Sequence, residues 1–293
     1  MKSSKLKAFF FVILAGVLWG TSGIFVKLIG PYGISSMTMT ALRGVISFLC
    51  LAVYALAVDA RLFRVGWRDL LLLAGGGVAF FGTGSCYFLA MQMTSVSTAV
   101  VLMYTAPILV MLVSVFFLGE RLTALKSFSV VCMLAGCCLV AGLLGGAKWN
   151  ALGIFVGLLS GISYASYNIL TKIQMKRGIY PITAVLYCFL FMSICACCFA
   201  SPASVTAAVA QKPLFVPLLL LGLGICTSTL PYFFYTGALK ELPAGTTSAL
   251  AIVEPMAATV FSVVIFREAL SLPALVGIIL ILFAAFLLSR TKE

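Results

Sequence analysis

The chain has 293 residues, of which 63% are hydrophobic and 9% charged, with ten cysteines, no histidine and a formal charge of +12. A soluble domain of this length needs far more polar surface to stay dispersed, so composition excludes the ordinary globular class. Without histidine and with only seven acids, paired acid–base or metal chemistry has almost no material, which argues against an enzyme.

Uncharged runs near 8–29, 36–57, 69–91, 97–118, 125–144, 150–172, 180–200, 214–239, 246–266 and 272–289 predict ten membrane-crossing helices. Each suits a hydrocarbon core about 30 Å thick, and the expected fold class is an all-α polytopic membrane protein. The first run carries Gly16, Trp19, Gly20 and Lys27. It is too long for a signal-peptide core and no small-residue cleavage pattern follows, so it is expected to stay in the mature protein. The second span holds Arg43, and the fourth holds Tyr104 and Pro107 before ending on Gly119 and Glu120. The sixth has Gly153, Gly157 and Gly161 at four-residue spacing, which allows close helix contact, then Tyr164, Tyr167 and Asn168. Tyr232 and Tyr235 lie in the eighth span, and Glu254 and Pro255 in the ninth.

Ten spans return both termini to one side. That side collects Lys2, Lys5, Lys7, Arg61, Arg64, Arg68, Arg121, Lys126, Lys172, Lys176, Arg177, Lys240, Arg290 and Lys292, against Lys27, Lys148, Lys212 and Arg267 opposite. Basic residues favour the cytoplasmic face, so both ends are expected there, in a cell membrane. Anionic lipid headgroups suffice as partner for the charge, and no nucleic acid is needed. All ten cysteines fall inside expected spans and read as small buried hydrophobes rather than disulfides. The run Cys195, Ala196, Cys197, Cys198 lacks the spacing of a zinc site, so no metal is expected. No phosphate-cradling glycine loop appears and no cofactor is called for.

The chain repeats itself. A shift of 148 positions lays Thr98 on Thr246, Leu102 on Leu250, Pro107 on Pro255, Ser114 on Ser262, Glu120 on Glu268 and Leu122 on Leu270. The same shift sets Tyr87 on Tyr235 and Ala90 on Ala238. A shift of 145 pairs Gly16 with Gly161, Trp19 with Tyr164, Thr21 with Ser166, Ile24 with Ile169 and Lys27 with Lys172. Residues 1–147 and 148–293 therefore read as two five-helix units. An odd number of spans per unit inverts the second copy in the membrane, the architecture that supports alternating access about a central site.

Gly16, Trp19 and Gly20, then Arg43, Pro107, Gly119, Glu120 and Leu122, repeated as Glu254, Pro255, Glu268 and Leu270, resemble the drug/metabolite transporter superfamily, specifically proteins with two EamA-type repeats. The resemblance covers essentially the whole chain. It implies ten helices, cytoplasmic termini and a central cavity lined by both repeats, commonly in exporters of amino acids and other metabolites. Two departures separate the halves: Arg267 stands where the first has Gly119, and Asn168 where it has Gly23.

Glu254 is the only mid-membrane acid, at a cost on the order of 3 kcal/mol on insertion scales, so it must face protein or water. Burial favours its protonated form, which suits proton exchange or contact with a cationic substrate group. A structural ion pair with Arg43 is the other reading. Arg43 either snorkels to the outer headgroups or points inward to bind a carboxylate or phosphate. Trp19, Tyr104 and Tyr164 lie near mid-span, with Tyr167, Asn168, Tyr232 and Tyr235 toward the cytoplasm and Tyr87 and Gln92 toward the outside. Trp19 and Tyr164 are expected to face one cavity. Pro107 and Pro255 should kink their spans and free a carbonyl one turn earlier. These features lead to a secondary carrier, most simply an exporter of an amino acid or a relative, with efflux of cationic or aromatic drugs as the alternative. An enzyme and a channel are the competing classes.

Overall fold

The computed structural model describes residues 2–142, 150–267 and 269–289; Lys148, Glu268, Arg290 and Lys292 lie outside them. The described chain is helical, with no strand. In order the helices are α1 (Lys2–Gly20), α2 (Ser22–Ile29), α3 (Ser36–Val58), α4 (Trp67–Met93), α5 (Val96–Met103), α6 (Ala106–Phe117), α7 (Ala124–Val140) and α8 (Ala151–Lys176). There follow α9 (Pro181–Cys197), α10 (Pro202–Gln211), α11 (Phe215–Gly224), α12 (Leu230–Glu241), α13 (Ala244–Leu250), α14 (Val253–Phe266) and α15 (Leu272–Ser289).

Among the described residues eight helical stretches are long and apolar enough to cross a membrane, and α9 with α10, bent by 96°, makes a ninth if taken as one span. The expected run 125–144 appears as the 17-residue α7, shorter than those eight. Residues 202–211, expected as loop, form α10 instead. Ser201 accepts from the Ser204 N–H to start that helix, and Ala208 is buried with Ile29, Ile34, Met39 and Val216. Residues such as Val53, Leu71, Phe116, Phe117, Val264 and Ile279 are exposed, a surface that only lipid solvates cheaply. The cysteines are all free thiols. Cys137 and Cys188 are buried as expected, whereas Cys197 and Cys198 are exposed, because α9 ends there and its last turn leaves the bundle.

Polar contacts gather the basic loops at one end of the bundle. Ser4 donates to Glu241 at 3.0 Å, Arg177 pairs with Asp69 at 2.9 Å, Lys176 donates to the Leu118 carbonyl at 2.7 Å, and Thr183 to that of Leu62 at 2.9 Å. Lys172 is buried and its ammonium caps the end of α12, donating to the carbonyls of Leu239 and Leu242 at 2.7 and 2.6 Å. At the far end the Ser201 N–H donates to Thr38 at 3.0 Å, and Lys27 lies 3.9 Å from the centre of the Phe266 ring.

The two halves interlock. Helix α1 packs on α12 and α14 of the second half, and α8, its repeat counterpart, packs on α4, α5 and α6 of the first. Two further pairs, α3 with α9 and α7 with α15, each join one helix from each half. Gly119 and Arg267, equivalent by the 148-residue shift, share a left-handed backbone at φ of 70° and 55°. Arg267 is the only non-glycine residue with positive φ among those described. Its side chain thus sits in a conformation glycine adopts freely and arginine does not.

Candidate functional site

Pro107 and Pro255 do more than kink their spans. Helix stops after Met103 and resumes at Ala106; likewise it stops after Leu250 and resumes at Val253, so each proline sits in the first turn of the second segment. A proline there gives up an N–H that has no helical partner anyway, and its fixed φ suits the start of a helix. The carbonyl one turn before Pro255 belongs to Ala251. It accepts the Glu254 N–H at 3.0 Å and lies 3.5 Å from the Tyr104 hydroxyl. The same hydroxyl donates to the Glu254 carboxylate at 2.7 Å. Tyr104 occupies the break of the first half, so the two broken spans meet through this bond.

Glycine lets the neighbouring helices approach the breaks. A Cβ on Gly161 would come 2.7 Å from the Thr105 hydroxyl and 2.9 Å from the Leu102 carbonyl. One on Gly16 would come 3.2 Å from the Val253 side chain and 3.4 Å from the Glu254 nitrogen. The two repeat-related glycines therefore bed α8 and α1 against opposite breaks. Trp19 and Tyr164 lie three residues further along and are carried to the same level.

Around the breaks the aromatics form one packed set. The Trp19 ring centre is 4.9 Å from that of Tyr232 and 5.2 Å from that of Tyr235. Phe80 contacts Tyr167 and Tyr232 at 5.2 and 4.7 Å, and Tyr164 stacks on Tyr167 at 6.5 Å. Asn168 is fully buried; its amide donates to the Tyr164 carbonyl at 2.8 Å and its carbonyl accepts the Tyr235 hydroxyl. Tyr167, Tyr232 and Tyr235, expected toward the cytoplasm, pack with the rings of Trp19 and Tyr164, Tyr167 lying three residues beyond Tyr164 along α8. Tyr87 stays apart, against Phe88.

Arg43 points inward. Its Nε is buried with no hydrogen-bond partner among the described residues, and its guanidinium carbon lies 5.9 Å from the centre of the Phe80 ring. No ion pair joins it to Glu254; the only ion pair among the described residues is that of Arg177 with Asp69. Glu254 and Arg43 are each partly exposed, whereas Tyr104, Tyr167 and Tyr235 are sealed at 1%, 1% and 0%. The Trp19 Nε1, the Ser228 hydroxyl and the Thr236 hydroxyl are also buried without a partner among the described residues.

Three contributors escaped the sequence reading. Phe80 and Phe189 are ordinary apolar residues of their spans, yet their rings sit 5.7 Å apart and both meet Tyr232. A π-helical turn, Ile225–Thr229, joins α11 to α12, and the Gly224 carbonyl at its start accepts from the Ser47 and Thr229 hydroxyls, both at 3.1 Å. Ser47 is one turn along α3 from Arg43. A π-turn of this kind often marks a working region of a helix, and the cluster Thr227, Ser228, Thr229 was its one trace in the sequence.

The chain is similar to uncharacterized transporters from several microbes. One from Clostridium kluyveri is 24% identical over 96% of this chain and 92% of its own length. Another from Archaeoglobus fulgidus is 28% identical, covering 91% and 90%, and YwfM of Bacillus subtilis is 24% identical, covering 97% and 94%. A crystal structure of another protein superimposes with a TM-score of 0.81 at 21% identity, over 96% of this chain and 95% of that one, which shows the shared fold. The profile of the EamA-like transporter family matches residues 6–142 and again 151–290, and with both interlocked repeats covered the chain belongs to that family.

Proposed function

We propose that this membrane transporter is a secondary carrier, not an enzyme, that exports a small zwitterionic metabolite, an amino acid or a derivative, by alternating access between units 1–147 and 148–293. The observation that carries this reading is the disposition of the two mid-bundle charges. Glu254 and Arg43 form no contact ion pair, both keep partial exposure, and the aromatic set lies in the adjoining core. A guanidinium binds a carboxylate through paired donors, and a carboxylate suits an ammonium. Rings with polar tips accommodate a side chain that is apolar or aromatic. A purely cationic drug would leave Arg43 without a counter-charge, which disfavours the efflux alternative. Protons are the proposed coupling ion, held at Glu254 and Tyr104. The basic end faces the cytoplasm, with both termini, as its surplus of lysine and arginine favours.

Thermal-shift screening of the purified protein against amino acids, matched amines and matched carboxylic acids tests this, because a ligand of the folded state raises apparent stability. Amino acids should stabilise wild type most. Arg43→Gln should abolish the advantage conferred by the carboxylate, and Glu254→Gln that conferred by the amine. Stabilisation by quaternary cations alone, unchanged in Arg43→Gln, would overturn the zwitterion reading.

A further inference from the structure

The inverted repeat places equivalent residues at opposite ends of the bundle, and the spaces they enclose differ. At the basic end Met111, Val115, Lys126 and Leu288 line a crevice of about 10 Å³. The repeat relation carries these four onto Thr259, Val263, Ala274 and Val140, which line a cleft of about 300 Å³ at the far end. The first space holds at most about one water molecule, whereas the second is on the scale of a small-ligand site. The inner edge of the cleft, at Ala258 and Thr259, lies one turn beyond Glu254, and the Thr259 hydroxyl donates to the Pro255 carbonyl at 3.0 Å.

What closes the basic end is visible. Glu120, just past α6, accepts the N–H groups of Ala244 and Gly245 at 2.7 and 3.4 Å, tying the end of one broken span to the beginning of the other. Helices α6 and α13 pack directly. Ser114 of α6 and Thr246 and Ser248 of α13 are buried, and their hydroxyls find no partner among the described residues. Buried hydroxyls without a protein partner are unfavourable, and parting these half-helices would open them to solvent. Ser262, the repeat counterpart of Ser114, lines the wide cleft instead.

We propose that Glu120 is the latch of the cytoplasmic gate. The two spaces are the two gates of the carrier, and this conformation is shut inside and open outside. Releasing the carboxylate from the start of α13 lets α6 and α13 part, with the outer cleft closing in exchange. This rests on the carrier reading and on its assignment of the basic end to the cytoplasm.

The test uses the full-length protein with its native cysteines replaced, in sealed vesicles of either orientation, and a membrane-impermeant methanethiosulfonate reagent. Ser262→Cys should label from outside, and Thr246→Cys should be protected from inside. Adding Glu120→Ala should speed labelling at Thr246→Cys at least tenfold and slow it at Ser262→Cys, with Glu120→Gln between. Where Glu120→Ala lowers the yield of folded protein, the same comparison is made with Glu120→Gln. Faster labelling at position 246 with no slowing at 262 means local fraying and overturns the latch, as does no change at either. Labelling needs no substrate, so reciprocal gating without amino-acid binding would reject the substrate reading alone.

Discussion

Replacing Tyr104 by Phe keeps a sealed ring and deletes one oxygen, and that oxygen holds the two broken spans together. The hydroxyl donates to Glu254 at 2.7 Å, a length shared by neutral and charge-assisted O–H···O bonds. If the carboxyl is ionised, removing the donor costs about 1.5–3 kcal/mol; if it carries a proton, about 0.5–1.5 kcal/mol. For a chain of this size, about 2 °C of midpoint corresponds to 1 kcal/mol. Tyr104→Phe should therefore lower the unfolding midpoint in detergent by about 3–6 °C in the ionised case. A double-mutant cycle with Glu254→Gln isolates the pair, since the loss from Tyr104→Phe should shrink when no charge is left to stabilise. A neutral Tyr104→Phe, or strict additivity of the two changes, would refute the bond as the joint between the spans.

Arg267→Gly should raise stability by about 0.5–1 kcal/mol, read as a midpoint rise of about 1–2 °C, because the left-handed backbone penalty on a side chain exceeds the added freedom of glycine in the unfolded chain. Lys172→Met leaves the carbonyls of Leu239 and Leu242 without their ammonium and should cost about 2 kcal/mol, seen as a lower midpoint and protease sensitivity after α12. Trp19→Ala and Tyr164→Ala should each weaken the binding of whichever ligand the thermal screen identifies by roughly tenfold, with smaller losses of yield. Single cysteines at Arg64 and Lys176 should label only from the cytoplasm and one at Lys212 only from outside; labelling of Arg64 and Lys212 from the same side would end the proposed orientation.

Much of the arrangement was legible because inverted repeats mark their own joints. The coincidence of Pro107 with Pro255 marked where both spans depart from a continuous helix, and that of Gly16 with Gly161 marked equivalent points of α1 and α8 without showing what they pack on. Even the departure of Arg267 from Gly119 left a trace, since both positions keep the same left-handed turn. Facing was less legible. Counting residues along continuous helices does not bring Tyr232 and Tyr235 onto Trp19, because the π-turn at Ile225–Thr229 in their own helix resets which side they present. The separation of Arg43 from Glu254 was hidden for another reason. Both sit near mid-span in linear distance, and only packing decides that one guanidinium lies by Phe80 while the carboxylate takes a tyrosine. Phe80 and Phe189 carried no signal at all, as a membrane span is full of such residues.

The interlocking of the halves bears on how the chain is made. The side of α1 that carries Gly16 and Trp19 finds its lasting neighbours only in Tyr232, Tyr235, Val253 and Glu254, more than two hundred residues later in synthesis. At about 5–20 residues per second, α1 waits roughly 10–40 s in the bilayer with a notched, indole-bearing surface turned to lipid or to whatever assists insertion. The broken fourth span waits as well, its opened backbone groups uncovered until α8 arrives. Biogenesis, more than the finished bundle, is therefore the stage at which Gly16 and Gly161 are exposed to error, and substitutions at these glycines should lower the amount of protein reaching the membrane before they alter what it carries.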